Sequence, residues 1–148
     1  MSENKKEEKQ SGGLPRWARL LMTPLILVVA GALIWSQLPK GAYPTDLSRI
    51  GDGRPALVVT YDASYMTGMQ VLELMDRIRD EYRDEVEFLV ANLGTPDGRD
   101  LATRFRVNDG AVVLFRSDGQ PVQVLQSPRH EQVLRDAMQE HLGVSPAR

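Results

Sequence analysis

The chain predicts an α/β domain of order βαβαββα with a four-stranded mixed sheet, preceded by one transmembrane helix. Three observations predict it. An uncharged apolar run covers 20–38; beyond residue 55, β-branched blocks alternate with segments whose apolar residues recur every three or four positions; and breaks rich in Pro, Gly and Asp separate them. With 148 residues, 42% hydrophobic and 26% charged, the chain has room for one modest domain and not for two ordinary ones.

Residues 1–19 are polar, with too few apolar side chains to offset the entropy of ordering them, and are expected to form a disordered cytoplasmic tail. The run LLMTPLILVVAGALIWSQL at 20–38 carries no charge, and its polar side chains are limited to Thr23, Ser36 and Gln37. At about 1.5 Å per residue, about 20 residues cross a bilayer core. Trp17 and Trp35 lie near the two ends, where indole rings favour the interface, and Pro24 sits early enough to kink rather than break the helix. Pro39 and Gly41 stop it. Lys5, Lys6, Lys9, Arg16 and Arg19 precede the run, against Lys40, Arg49 and Arg54 just after it, so the N-terminus is expected in the cytoplasm and the rest in a bacterial periplasm. The alternative is a signal peptide cleaved after Ala32, following the small residues Ala30 and Gly31. Against it, the apolar run continues through Leu33, Ile34 and Trp35.

Residues 39–55, dense in Pro and Gly, read as a tether, and 56–143 as the domain, leaving 144–148 as a C-terminal tail. ALVVTY at 56–61 lacks strict alternation, as a strand buried on both faces does. Val71, Leu72, Leu74, Met75, Ile78 and Tyr82 then give one apolar face to a helix over about 67–84, with Glu73 and Arg77 as an i,i+4 pair on its outer side. VEFLVANL at 86–93 is a second buried strand. Thr95 and Pro96 supply the cap and first turn of a short helix whose Leu101 and Phe105 point inward. AVVLF at 111–115 and the alternating PVQVLQ at 121–126 form a hairpin around Ser117, Asp118 and Gly119. Ser127 and Pro128 open the last helix, with Val133, Leu134, Ala137, Met138 and Leu142 on one face, and Gly143 ends it.

Composition removes most chemistry. The chain has no cysteine, which excludes thiol nucleophiles, disulfides and sulfur-built metal sites, and its net charge of −2 argues against nucleic acid as a partner. From residue 40 on there are 13 basic and 17 acidic residues, a net −4, in keeping with an acidic exported part. His130 and His141 lie eleven positions apart on one helix, roughly 16 Å, too far to share an ion. Asp76, Asp80, Glu81, Asp84, Glu85 and Glu87, interleaved with Arg77, Arg79 and Arg83, read as a solvated, salt-laced face. Ser64 and Thr67 have neither a nearby histidine nor a nucleophile-elbow context, so no enzyme activity and no cofactor is expected.

The motifs VVTYDASYMTGMQ, Asn92 to Pro96, LATRFRV, NDGAVVLF and SDG, over residues 56–142, resemble the thioredoxin-like superfamily in order and spacing. The resemblance puts Met66 and Met69 where the family has its two cysteines, with Thr67 and Gly68 between them and Tyr65 in place of the tryptophan. It puts Thr60 at the family's buried aspartate and Gly110 or Ala111 at its cis-proline. A thioether forms no mixed disulfide, so the redox cycle the family is known for is not available to this chain. The resemblance also implies a binding edge where the strand ends meet the following loops. Tyr61, Asp62, Tyr65, Met66 and Met69, facing Asn108, Asp109 and Gly110, combine aromatic anchors, soft apolar groups and free backbone, which suits protein recognition.

The expected function is therefore a redox-inactive thioredoxin-like binding or assembly module, anchored in the inner membrane through 20–38, with a membrane or periplasmic protein as partner. Two alternatives stay open. One is a copper-handling accessory for envelope or respiratory protein maturation that uses Met66 and Met69, because thioethers suit Cu(I) and residues three apart share a helix face. The other is a small structural subunit of a membrane complex.

Overall fold

The computed structural model describes residues 16–37 and 42–147, with side chains in the first stretch given for 17 and 21–33. The chain divides into two compact units, Met1–Ala42 and Tyr43–Arg148. In the first, helix α1 runs Arg16–Gln37 with Pro24 inside it. Leu21, Leu25, Ile26, Leu27 and Val28 are all exposed on it. The expected disordered tail up to residue 15, and the side chains of Trp35, Pro39 and Gly41, lie outside the described residues. So does Leu38, the far end of the expected 20–38 span, and among the described residues no helix is long and apolar enough to cross a membrane.

In the second unit a 3-10 turn at Leu47–Arg49 leads to β1 (Ala56–Tyr61), α2 (Met66–Tyr82), β2 (Glu87–Asn92), α3 (Pro96–Phe105), β3 (Ala111–Phe115), β4 (Pro121–Gln126) and α4 (Glu131–Leu142). The sheet order is β2-β1-β3-β4, with β1 parallel to β2 and the other pairs antiparallel. This is the mixed sheet the sequence predicts: a helical crossover joins β1 to the parallel β2, and a tight turn joins β3 to the antiparallel β4.

The absence of alternation in β1, β2 and β3 has a direct cause. Leu57, Val59, Phe88, Val90, Val112 and Leu114 face α2 and α4, while Ala56, Val58, Leu89, Ala91, Val113 and Phe115 face the α3 side. Both faces of the sheet are covered, so the inner positions of these strands are apolar apart from Thr60. Met75, Ile78, Leu134 and Met138 are completely buried between the α2–α4 layer and the sheet. Burying each such side chain contributes about 1.5–3 kcal/mol relative to exposure.

The domain is wider than the sequence predicts at both ends. The stretch read as a tether is packed from Tyr43 onward: Tyr43 rests against the main core, Leu47 and Ile50 against the opposite face, and Val90 donates its N–H to Pro44 O at 3.0 Å. Pro44 thereby covers the outer edge of β2. At the other end, read as a tail, Val144 is 7% exposed within the core and the Ala147 N–H bonds Glu81 O at 2.8 Å. In both cases a few isolated apolar residues among Pro and Gly carry no period, so burial there leaves no trace in sequence pattern. The helix expected over 67–84 starts at Met66 and ends at Tyr82, and the last helix starts three residues after Pro128, at Glu131.

Candidate functional site

The site lies where the C-terminal end of β1 and the N-terminal end of β3, with their adjoining loops, meet the first turn of α2. Thr60, the next-to-last residue of β1, is fully buried. Its hydroxyl accepts the Ala111 N–H at 2.9 Å and donates to Asn108 O at 2.5 Å, with Ala111 O at 3.2 Å as the other acceptor in reach. The Gly110 N–H bonds Thr60 O at 2.9 Å. One hydroxyl thus bonds buried backbone on both sides of the turn and fixes the 108–111 loop against β1.

The start of α2 has no cap of its own. Tyr65 occupies the cap position without a side-chain bond to the helix, and the Asp62 carboxylate only closes a turn by accepting the Ser64 N–H at 2.8 Å. The missing acceptor comes from across the site. Asp109 takes the Gly68 N–H at 2.7 Å on one oxygen and the Asp62 N–H at 2.9 Å on the other. A carboxylate at a helix N-terminus also meets the positive end of the helix dipole. Two glycines make room for this latch. A Cβ on Gly68 would fall 2.2 Å from the Asp109 carboxylate oxygen. At Gly110, with φ +80°, a Cβ would fall 2.5 Å from Thr67 Cγ2 and 3.0 Å from its carbonyl carbon. The loop backbone therefore lies directly on Thr67, between the two methionines.

The sequence-predicted residues separate into three groups. Asp62, Tyr65, Asn108 and Asp109 line one cleft of about 430 Å³, together with Thr67 and Leu93. Met66 and Met69 are not in its lining; they stand beside it on the first turn of α2, 67% and 44% exposed, with Tyr65 at 62%. Tyr61 and Gly110 are support: the Tyr61 ring packs on the core, and Gly110 is buried under Thr67. Asp109 was expected as an interface group, yet both its oxygens already bond backbone N–H groups. Thr67 and Leu93 line the cleft without belonging to the expected binding edge; their only signal is adjacency to Met66 and to the end of β2.

The remaining polar clusters bond within the fold. Glu87 pairs with Arg49 at 2.5 Å and Arg54 at 3.2 Å. The Arg135 guanidinium holds Glu81 through two bonds, of 2.8 and 3.1 Å, and Glu131 at 3.1 Å. That hydrogen bonding keeps the Glu81 carboxyl below its ordinary value and raises Arg135. The Tyr43 hydroxyl donates to Asp76 while Arg79 lies 4.5 Å over the Tyr43 ring, and burial, followed by the bond to Asp76, raises the phenol well above its usual value. Among the described residues no group of three or more His, Cys, Asp or Glu is placed to hold a metal ion.

No family model and no curated protein matches the chain. Solved structures do. Trxlp from Edwardsiella tarda is 17% identical with a TM-score of 0.54, covering 65% of this chain and 96% of its own. Fasciola hepatica thioredoxin is 20% identical with a TM-score of 0.52, covering 62% of this chain and 84% of its own. An uncharacterized thioredoxin-like protein from Clostridium perfringens, solved in solution, is 14% identical with a TM-score of 0.59, covering 66% and 78%. At these identities the likeness concerns the fold alone. Sheet order, helix placement and these neighbours agree that the second unit of this chain has a thioredoxin-like fold.

Proposed function

We propose that the chain is a redox-inactive, thioredoxin-like binding or assembly module, held at the inner membrane by its apolar N-terminal helix with the domain in the periplasm. The observation that carries this reading is the exposure of Tyr65, Met66 and Met69 beside a cleft whose walls are rigidly fixed. Three large apolar side chains on one helical turn, next to a loop held by Asp109 and Thr60, form a pre-organised surface for a protein partner. The same turn holds no sulfur nucleophile, since the chain has no cysteine. The uncharged run at 20–38 and the basic residues preceding it support the anchor and its orientation.

The test places a photo-crosslinking amino acid at position 66 of the full chain in native membranes. A discrete crosslinked protein, lost when Tyr65→Ser and Met69→Ser are introduced together, is the expected result. No adduct, or adducts that ignore those substitutions, would sink the binding role. A reporter fused after Arg148 that is active only in the cytoplasm would sink the orientation.

A further inference from the structure

A second cleft, of about 530 Å³, opens on the other side of Thr67, between α2 and the turn that joins β4 to α4. Its floor is apolar, with Val71, Leu74 and Pro128 all buried. Its rim carries Arg77 and Arg129, both exposed, and the polar side chains of Gln70 and Glu73. Ser127, at the turn, has φ +45°, a conformation in which non-glycine residues are uncommon and which aims the 127–129 backbone toward α2.

The two arginines share one cleft and, like Arg99, Arg104, Arg106 and Arg116, have no carboxylate partner among the described residues. Arg49, Arg54, Arg83 and Arg135 each have a carboxylate partner, whereas among the described residues neither Arg77 nor Arg129 has an ion pair or hydrogen bond. Glu73, four residues before Arg77, does not pair with it in the structure. In a part of the chain with four more acidic than basic residues, two guanidiniums against the one rim carboxylate of Glu73 leave a local excess of positive charge over an apolar floor. Thr67 lines both this cleft and the one at Tyr65. A single extended segment that crosses Thr67 reaches both.

The geometry points to an acidic segment of a protein partner as the occupant of this cleft: an apolar side chain on the Val71–Leu74–Pro128 floor, with neighbouring carboxylates on Arg77 and Arg129. This deepens the binding-module reading and rests on it. Guanidinium forks match carboxylates in geometry as well as charge, which selects carboxylate over amide of the same shape.

The probe is an acetylated, amidated peptide of sequence Gly-Ser-Leu-Glu-Glu-Ser-Gly, compared with its Gln-Gln and Lys-Lys counterparts. Each is titrated by NMR into the full chain in nanodiscs of uncharged phosphatidylcholine. The Glu-Glu peptide is expected to shift the amides of Gln70, Arg77 and Arg129 and to bind about tenfold more tightly than the Gln-Gln peptide, the sum of two partly exposed ion pairs. Combined Arg77→Gln and Arg129→Gln should erase that preference, and Arg77→Lys with Arg129→Lys should keep part of it. Equal binding of the Glu-Glu and Gln-Gln peptides, a preference unchanged in the Gln variant, or shifts produced by phosphatidylglycerol vesicles but not by the peptide would each overturn the inference. Crosslinking at position 66 separates the two ideas. A partner captured there without peptide discrimination removes the acidic specificity alone, and discrimination without capture removes the Tyr65 edge as the partner site.

Discussion

The two ends of α2 are built in opposite ways. At its C-terminal end nearly every polar group has a partner in the fold. Glu81 is held by Arg135, Glu81 O by the Ala147 N–H, and Arg83 O by Arg54 at 2.6 Å, above a Tyr82 that is 1% exposed. At its N-terminal end one carboxylate, Asp109, does the holding, and Tyr65, Met66 and Met69 face solvent. One end of a single helix is closed by internal ion pairs; the other is fixed from below and left apolar on top. Exposure at Met66 is therefore not looseness. The backbone beneath it is clamped by Gly68, Gly110 and Asp109, so the exposed side chains stand on a rigid platform.

Substitutions can break that contrast, beginning with the platform. Gly110→Ala puts a Cβ at 2.5 Å from Thr67 Cγ2 on a residue with φ +80°. Overpacking and a left-handed alanine together cost about 3 kcal/mol, read as a lowered midpoint in urea. Asp109→Ala leaves the N–H groups of Gly68, in the first turn of α2, and Asp62, in the loop before it, without their acceptor; the partly exposed site gives about 2 kcal/mol of destabilisation, and Asp109→Asn, which keeps one acceptor oxygen, about half of that. An Asp109→Ala protein as stable as the parent would show that the helix start is not held from across the site.

At the closed end the effects are smaller. Arg135→Ala removes a two-bond contact to Glu81 that is part-exposed to solvent, and should cost about 1 kcal/mol. Its pH signature follows from the Glu81 carboxyl, whose folded pKa is depressed by Arg135 below its ordinary 4.5. The contribution is fully present above that ordinary value and is lost as the pH falls through the lower folded one. Denaturant midpoints of parent and Arg135→Ala should therefore differ near neutrality and converge in acid. The smallest effect belongs to the open end: Tyr65→Ser, Met66→Ser and Met69→Ser should each change stability by less than about 0.5 kcal/mol, because these side chains are largely exposed. A larger loss would make them part of the packing rather than a free surface.

Most of the fold was legible because its signal is burial with a period. The strands at 56–61, 111–115 and 121–126 appear in the structure at those bounds, since both-face burial leaves uninterrupted apolar blocks and an edge strand leaves alternation. Gly143 ends α4 with φ +68°, as a left-handed cap requires. What stayed hidden depends on contacts between distant residues. Tyr43 on α2 and Val144 in the core are single apolar residues in aperiodic stretches. Asp109 capping a helix that begins 43 positions earlier, at Met66, has no local signature, and neither has the pairing of Arg77 with the turn at Arg129 across one cleft. Residue types and spacing placed Tyr65 and Met66 at an edge; only the folded chain separates the side chains that line the cleft from those that support it.

The most direct test compares the two ends of α2 in one experiment. A photo-crosslinking amino acid is introduced at position 66 or at position 83, whose arginine side chain is 69% exposed, in the full chain in native membranes. A discrete protein adduct is expected from position 66, disappearing with Tyr65→Ser and Met69→Ser, and none from position 83. Equal adducts from both positions, or an adduct from position 83 alone, would contradict that contrast.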